Sequence, residues 1–279
     1  MLVLSLSAWI RLEPLAYSQS KVGNGEEMAR TAFKNGEHGK VIELLLDNNN
    51  VISKPSRLML ADSLHEKKRY EDEIRVLDSV LKENPDDFLV LTKIANAYLN
   101  ANKSDEAILS FRAAIKKNPK YLPAYENLLF LFESSDNYYE SRLVLKDMMR
   151  KFGNRSEYMH KLCRIDSLDG YLESSSKACL DAIFRDPSYP DSYIYLANNY
   201  RDTGEKVKAL KAYTDAAKRF QQSEFVQSAA GRYFAEMKDF HAAYRYFSKA
   251  IKINPQSLRA HLGLAKSALE IKKYRTSLE

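Results

Sequence analysis

From about Val22 onward, apolar residues recur every three or four positions in short stretches separated by polar turns, the spacing of one apolar face on an α-helix. The segment IANAYLNANKSDEAILSFRAAIKKNP, Ile94 to Pro119, reads as two amphipathic helices around a polar turn, closed by a proline. Leu196–Phe220 (LANNYRDTGEKVKALKAYTDAAKRF) and Ala230–Pro255 (AGRYFAEMKDFHAAYRYFSKAIKINP) repeat that grammar. The pattern therefore predicts helical hairpins. Nine Gly and eight Pro are too few for the many turns of an all-β fold.

The repetition has a period. Pro85, Pro119, Pro187 and Pro255 are 34, 68 and 68 residues apart, with Gly153 and Gln221 in the vacant slots. Counting places from 31 residues before each slot puts unit starts at Lys54, Phe88, Leu122, Ser156, Pro190, Glu224 and Leu258. The eighth place then holds Ala61, Ala95, Leu129, Cys163, Ala197, Gly231 and Ala265. The twentieth holds Glu73, Ala107, Ser141, Ser175, Ala209, Ala243 and Ser277. The twenty-seventh holds Val80, Ala114, Met148, Ala182, Ala216 and Ala250. Small residues dominate all three, as two antiparallel helices need in order to approach closely. Bulky residues hold the eleventh place (Leu64, Tyr98, Phe132, Tyr200, Phe234; Asp166 and Ala268 depart) and the twenty-fourth (Leu77, Phe111, Leu145, Tyr213, Phe247, with Cys179). One hairpin cannot bury both of its faces, so stability must come from stacked neighbours.

These columns resemble the tetratricopeptide repeat (TPR), a 34-residue helix–turn–helix unit. Leu196-Ala197, Tyr200, Ala209, Tyr213 and Ala216 follow its signature, as do Ile94-Ala95, Tyr98, Ala107, Phe111, Ala114 and Pro119; the units at Leu122 and Ser156 are degenerate but in register. The resemblance implies an all-α, right-handed superhelical solenoid of about seven hairpins plus a partial last one. Units are expected near 22, 54, 88, 122, 156, 190 and 224, with the partial unit from 258. In the first of them Ala29, Ala32, Val41 and Leu45 take the packing roles and Asn35-Gly36 the turn. The last unit is expected to stop one turn into its second helix. A solenoid normally ends in a polar capping helix, so either the chain is a fragment or another protein, a second copy included, covers that end.

The N-terminus departs from the repeat. Met1–Ile10 is uncharged and nearly continuously apolar, too short to span a bilayer as a helix. With Ala16 and Ser18 in a small-x-small pattern, residues 1–18 read as a signal peptide, leaving a solenoid over 22–279. No Lys or Arg precedes the apolar core, so an upstream start or an apolar first helix is the alternative. Export to the periplasm is expected on the first reading and a cytoplasmic protein on the second. A net charge of +6, from 43 basic and 37 acidic residues, is modest and interspersed, with no polybasic tail for nucleic acid or membrane. Cys163 and Cys179 match no zinc spacing, cannot form a disulfide framework, and read as small buried packing residues of one hairpin rather than a redox pair.

No H-E-x-x-H, C-x-x-C, Gly-rich phosphate loop or G-x-S-x-G is present, and His38, His65, His160, His241 and His261 are scattered over different units. The chain reads as a non-enzyme without cofactor or metal. His241 is expected at a helix start, and His261, in the usually aromatic fourth place, in packing. In the resembled family the first helices line a concave groove that takes extended peptides or short helices, with the second, fifth, sixth, ninth, twelfth and thirteenth places facing it. The ninth place reads Asp62, Asn96, Phe130, Arg164, Asn198, Arg232 and Lys266, and Lys161 and Arg201 add to its cationic second half. Acids at Asp202, Glu236 and Glu270 flank that row, with Glu157 and Asp191 in second places. Asn96, Asn127 and Lys161 match three of five places by which some co-chaperones grip an EEVD tail, but Thr92 and Glu157 replace the two lysines. A looser grip is expected: Asn96 and Asn127 on a peptide backbone, Lys161 and Arg164 on a carboxylate. Phe130, Tyr195 and Phe225 are candidate apolar anchors. The expected function is a protein-interaction scaffold in cell-envelope assembly, with acidic or C-terminal peptide segments as partners. The alternatives are an intracellular co-chaperone or secretion chaperone, and the regulatory half of an enzyme continuing past Glu279.

Overall fold

The computed structural model describes residues 24–48 and 52–276. The expected signal peptide over 1–18, the unit start at Val22 and Ser277 of the twentieth column lie outside them. The described residues form fifteen α-helices and no strand. These are α1 (24–34), α2 (His38–Leu45, continued by a 3₁₀ turn), α3 (Lys54–Glu66), α4 (Tyr70–Glu83), α5 (Phe88–Asn100), α6 (Ser104–Lys117), α7 (Leu122–Ser134), α8 (Tyr138–Phe152), α9 (Ser156–Leu168), α10 (Leu172–Arg185), α11 (Pro190–Asp202), α12 (Lys206–Arg219), α13 (Glu224–Glu236), α14 (Phe240–Ile253) and α15 (Leu258–Thr276). The chain divides into two compact units, Met1–Leu131 and Phe132–Glu279.

Each hairpin is punctuated by local chemistry. Polar side chains cap several helix starts: Asp87 accepts from the Val90 N–H at 3.2 Å, and Asp239 from Ala242 at 2.9 Å. Pro190 opens α11, where its missing N–H costs nothing. First helices end on a left-handed residue at the fifteenth place: Lys68, Asn102, Asp136, Gly170, Gly204 and Lys238, with φ between 53° and 80°. The N–H of the next residue turns back to the eleventh-place carbonyl, Arg69 to Leu64, Tyr171 to Asp166 and Glu205 to Tyr200 at 2.8–2.9 Å. This is a Schellman closure repeated along the chain.

Within each unit the columns pack as their spacing requires. Ala61, Ala95, Ala107, Ala114, Ala197, Ala209, Ala216, Ala243 and Ala250 have no exposed surface, and Phe111, Leu145, Tyr213 and Phe247 are buried beside them. Burying one such large side chain contributes roughly 1.5–3 kcal/mol. Successive first helices also touch: α9 meets α11, α11 meets α13, and α13 meets α15. Rings in the fourth place anchor this stack to the proline slots. Tyr193 donates to the Pro187 carbonyl at 3.4 Å, and His261 sits 2.9 Å from that of Pro255, so the histidine stands in for a tyrosine. His241 is the second residue of α14.

Four features depart from expectation. Cys163 and Cys179 are fully buried, but they are joined in a disulfide between α9 and α10, with Cα atoms 4.7 Å apart. Cys163 in the small eighth place and Cys179 in the bulky twenty-fourth face each other across one hairpin, whose helices approach closely enough for their sulfurs to bond. Asp166 does not fill its bulky column with carbon: fully buried, it binds the Arg142 guanidinium of α8. Glu73, in a small-residue column, reaches 2.9 Å from His65 Nδ1 while 3% exposed. Finally, α15 does not break after one helix: it runs on to Thr276 with no turn at the fifteenth place. Ala265, whose column is buried in the α3, α5, α9, α11 and α13 hairpins, is therefore exposed.

Candidate partner-binding face

The first helices present their ninth and sixth places as rungs reaching from one repeat to the next. In the first unit Lys93 pairs with Asp62, and Asn127 Nδ2 donates to Asn96 Oδ1 at 3.2 Å. The two asparagines expected to hold a peptide backbone thus hold each other. Asp62, Lys93 and Asn96 line a cleft of about 400 Å³ with Phe33, His65 and Glu73. Burial raises the Glu73 pKa above the usual carboxylate range, against the lowering effect of His65. Phe130 is 60% exposed, as an anchor requires.

In the second unit the cationic row is largely answered from within. Arg164 lies 2.9 Å and Lys161 3.9 Å from the carboxylate of Glu133, so the acid they meet is the chain's own. One carboxylate, Glu133 at the twelfth place, thus faces both members of the expected carboxylate-receiving pair. Arg201 pairs with Asp202 at 2.7 Å and Glu236 at 3.6 Å, and the hydrogen bonds it donates to Asp202 hold its pKa above the ordinary value. Asn198 accepts from the Tyr213 hydroxyl, a phenol that burial pushes up to about 12. Tyr195 is half-buried, and burial raises its pKa too. Phe225 is half-buried and packs against the buried cluster of Ile194, Tyr213 and Val226.

Arg232 and Lys266 behave differently. Both are exposed, and no ion pair among the described residues engages either. The twelfth place of the preceding unit, where Glu133 stands before Arg164, is held by Arg201 before Arg232 and by Ala235 before Lys266, and neither offers an acid. Among the described residues, no three His, Cys, Asp or Glu side chains are placed to hold a metal ion, and no helix is long and apolar enough to cross a membrane.

Sequence reasoning missed Glu133, the Arg142–Asp166 pair, Glu73–His65 and the disulfide. Asp166 and Glu73 did signal themselves by breaking their columns. Glu133 left no such mark, because an acid on an exposed face is unremarkable until its neighbours are known.

Helical hairpins at a 34-residue period, small-residue columns and Schellman turns define a class, and comparison agrees. Residues 92–138 and 228–257 each match a family model of the tetratricopeptide repeat, and the chain is a TPR protein. It is 21% identical over 210 residues to anaphase-promoting complex subunit 7 of Mus musculus, and equally to that of Homo sapiens, covering 73% of this chain and 36% of each relative. The chain therefore spans about a third of the length of the curated relatives it matches. Among solved structures it resembles the C-terminal part of a TPR repeat-containing protein from Cytophaga hutchinsonii, at TM-score 0.65 and 14% identity, over 86% of this chain and 99% of that one. It also resembles YrrB, described as a TPR protein with an unusual peptide-binding site, at TM-score 0.50 and 15% identity, over 66% of this chain and 95% of that one. At such identities the likeness shows the fold.

Proposed function

We propose that this chain is a non-enzymatic scaffold that holds a peptide or helix of a protein partner on the first-helix face of its second unit. The observation that carries this reading is the contiguity of α9, α11, α13 and α15. Their outward places carry half-exposed or exposed aromatic and polar groups, including Tyr195, Arg201, Arg232 and Lys266. Such a face offers a rigid surface whose shape is set by packing rather than by loops, which limits the ordering cost of binding. YrrB, a TPR protein with an unusual peptide-binding site, gives a precedent for peptide binding on this fold.

The compartment we infer is an oxidising one, with assembly of a cell-envelope complex as the role. The buried Cys163–Cys179 bridge supports this reading, because structural disulfides persist where thiols are not kept reduced. Thiol titration of denatured protein from its native host checks it: two free thiols would place the chain in a reducing compartment.

The scaffold reading is tested by placing a photo-crosslinker, Tyr195→p-benzoylphenylalanine, on the face and another, Lys218→p-benzoylphenylalanine, on the exposed side of α12. In living host cells the first should capture a defined protein through a defined segment, and the second should not. Equal capture at both positions, or none at Tyr195, would remove this face as the binding surface.

A further inference from the structure

A cleft of about 340 Å³ opens at the end of the second unit, lined by residues of α13, α14 and α15. That volume is within the range of about 300–1,000 Å³ typical of sites that enclose a small ligand or a few side chains. Arg232, Arg259 and Lys266 stand around it, Glu236 is the acid at its edge, and Leu262, 55% exposed, contributes an apolar patch.

The charge of this cleft is not answered inside the chain. Glu236 is engaged by Arg201 at 3.6 Å. Glu224, which feels the Arg259 charge, already accepts from the Ser228 hydroxyl at 2.6 Å and the Ser257 hydroxyl at 2.7 Å. Among the described residues no ion pair reaches Arg232, Arg259 or Lys266, whereas Lys161, Arg164 and Arg201 on the same face all have acidic partners. Three like charges around one concavity repel one another and raise the local concentration of anions. Arginine adds a flat, forked donor set that fits a carboxylate through two parallel hydrogen bonds.

The floor narrows the choice of anion. Gly263 presses its backbone against the Phe247 ring so closely that a Cβ there would lie 2.4 Å from ring carbon. The α14–α15 seam is thereby closed under the cleft, and Leu262 is left as its accessible apolar surface. An apolar side chain set between charges belongs to a peptide rather than to a free inorganic anion or a bare phosphate backbone.

Resting on the reading of this face as the binding surface, we infer that the α13–α15 cleft is its anchoring subsite. Its occupant is an acidic segment of the partner in which carboxylates flank one aliphatic side chain. Arg232, Arg259 and Lys266 receive the carboxylates, and Leu262 meets the aliphatic group.

The experiment is a selection of displayed random dodecapeptides on the immobilised full chain, followed by fluorescence anisotropy with the enriched peptides. Variants Arg232→Glu/Lys266→Glu and Tyr195→Ala are compared with wild type, each shown by circular dichroism to melt like it. The expected result is a consensus of acids flanking Leu, Ile or Val. Its affinity should fall at least tenfold in the charge-reversed variant and when the central aliphatic residue becomes Gly, and it should weaken as salt rises. Enrichment of neutral or basic peptides that ignore the charge reversal but lose affinity in Tyr195→Ala would overturn this inference and leave the scaffold reading standing. No enrichment at all would overturn both. A single-stranded oligouridylate that binds the cleft more tightly than the selected peptides would overturn the inference in favour of a nucleic-acid partner.

Discussion

Replacing Asp166 by Leu restores carbon to a column that is bulky and apolar in most other repeats, yet the structure predicts that this single change destabilises the protein. Asp166 is fully buried and binds Arg142 Nε, while Ser174 Oγ donates to its other oxygen at 2.5 Å. Arg142 is 7% exposed, its second arm lies 2.6 Å from Asp169, and its guanidinium stacks 3.8 Å above the Tyr171 ring. Burial alone would lower the Arg142 pKa; the two carboxylates hold it above its ordinary value. Removing one partner of a buried pair costs about 3–5 kcal/mol, because the other charge stays desolvated. Asp169 survives in Asp166→Leu as a partly exposed second carboxylate, so the lower end, about 3 kcal/mol, is expected. For a unit of this size that is roughly 6–12 °C in melting temperature. Arg142→Leu/Asp166→Leu, which removes both charges, should lie within about 1 kcal/mol of wild type. Urea unfolding followed by circular dichroism measures both, and hydrogen exchange in α9 and α10 localises the loss. The reasoning fails if the double variant costs as much as the two singles together, since the pair would then not be coupled.

Three further outcomes follow from local geometry. Lys238 turns the chain at φ 62°, where a side chain costs about 1 kcal/mol, so Lys238→Gly should raise the urea midpoint; a lower midpoint would contradict the strain. Gly263→Ala puts a methyl group 2.4 Å from the Phe247 ring and should cost about 1–3 kcal/mol, with Phe247→Leu restoring part of it; a neutral Gly263→Ala would show that the ring has room to move. Burial holds the His160 imidazole below the ordinary histidine value, so the folded state binds the proton less readily than the unfolded chain. Its contribution is therefore fully present above about pH 6.5 and lost as pH falls through the folded pKa. The melting temperature lost between about pH 7.5 and pH 5.5 should shrink in His160→Gln; an unchanged loss would place the titration elsewhere.

The helices, their period and most of their core could be read from the chain alone. A 34-residue repeat of small and bulky places leaves one way to bury the apolar faces, by stacking, and the buried alanines occupy the places the period assigns them. The turns were half legible. Gly170 and Gly204 announce a left-handed residue, whereas Lys68 and Lys238 adopt the same conformation against their intrinsic preference because the hairpin requires it.

Which polar residues are free and which are committed was a tertiary matter. Arg164 and Arg232 share the ninth place, both charged and outward. At the twelfth place of the preceding unit one meets Glu133 and the other finds Arg201, a second cation. Cys163 and Cys179 likewise look like packing residues until two helices bring them into bonding range. Periodicity specifies which face a side chain takes, because that follows from the local helix repeat. What it finds on that face depends on residues about thirty positions away, whose approach is set by how the hairpins stack.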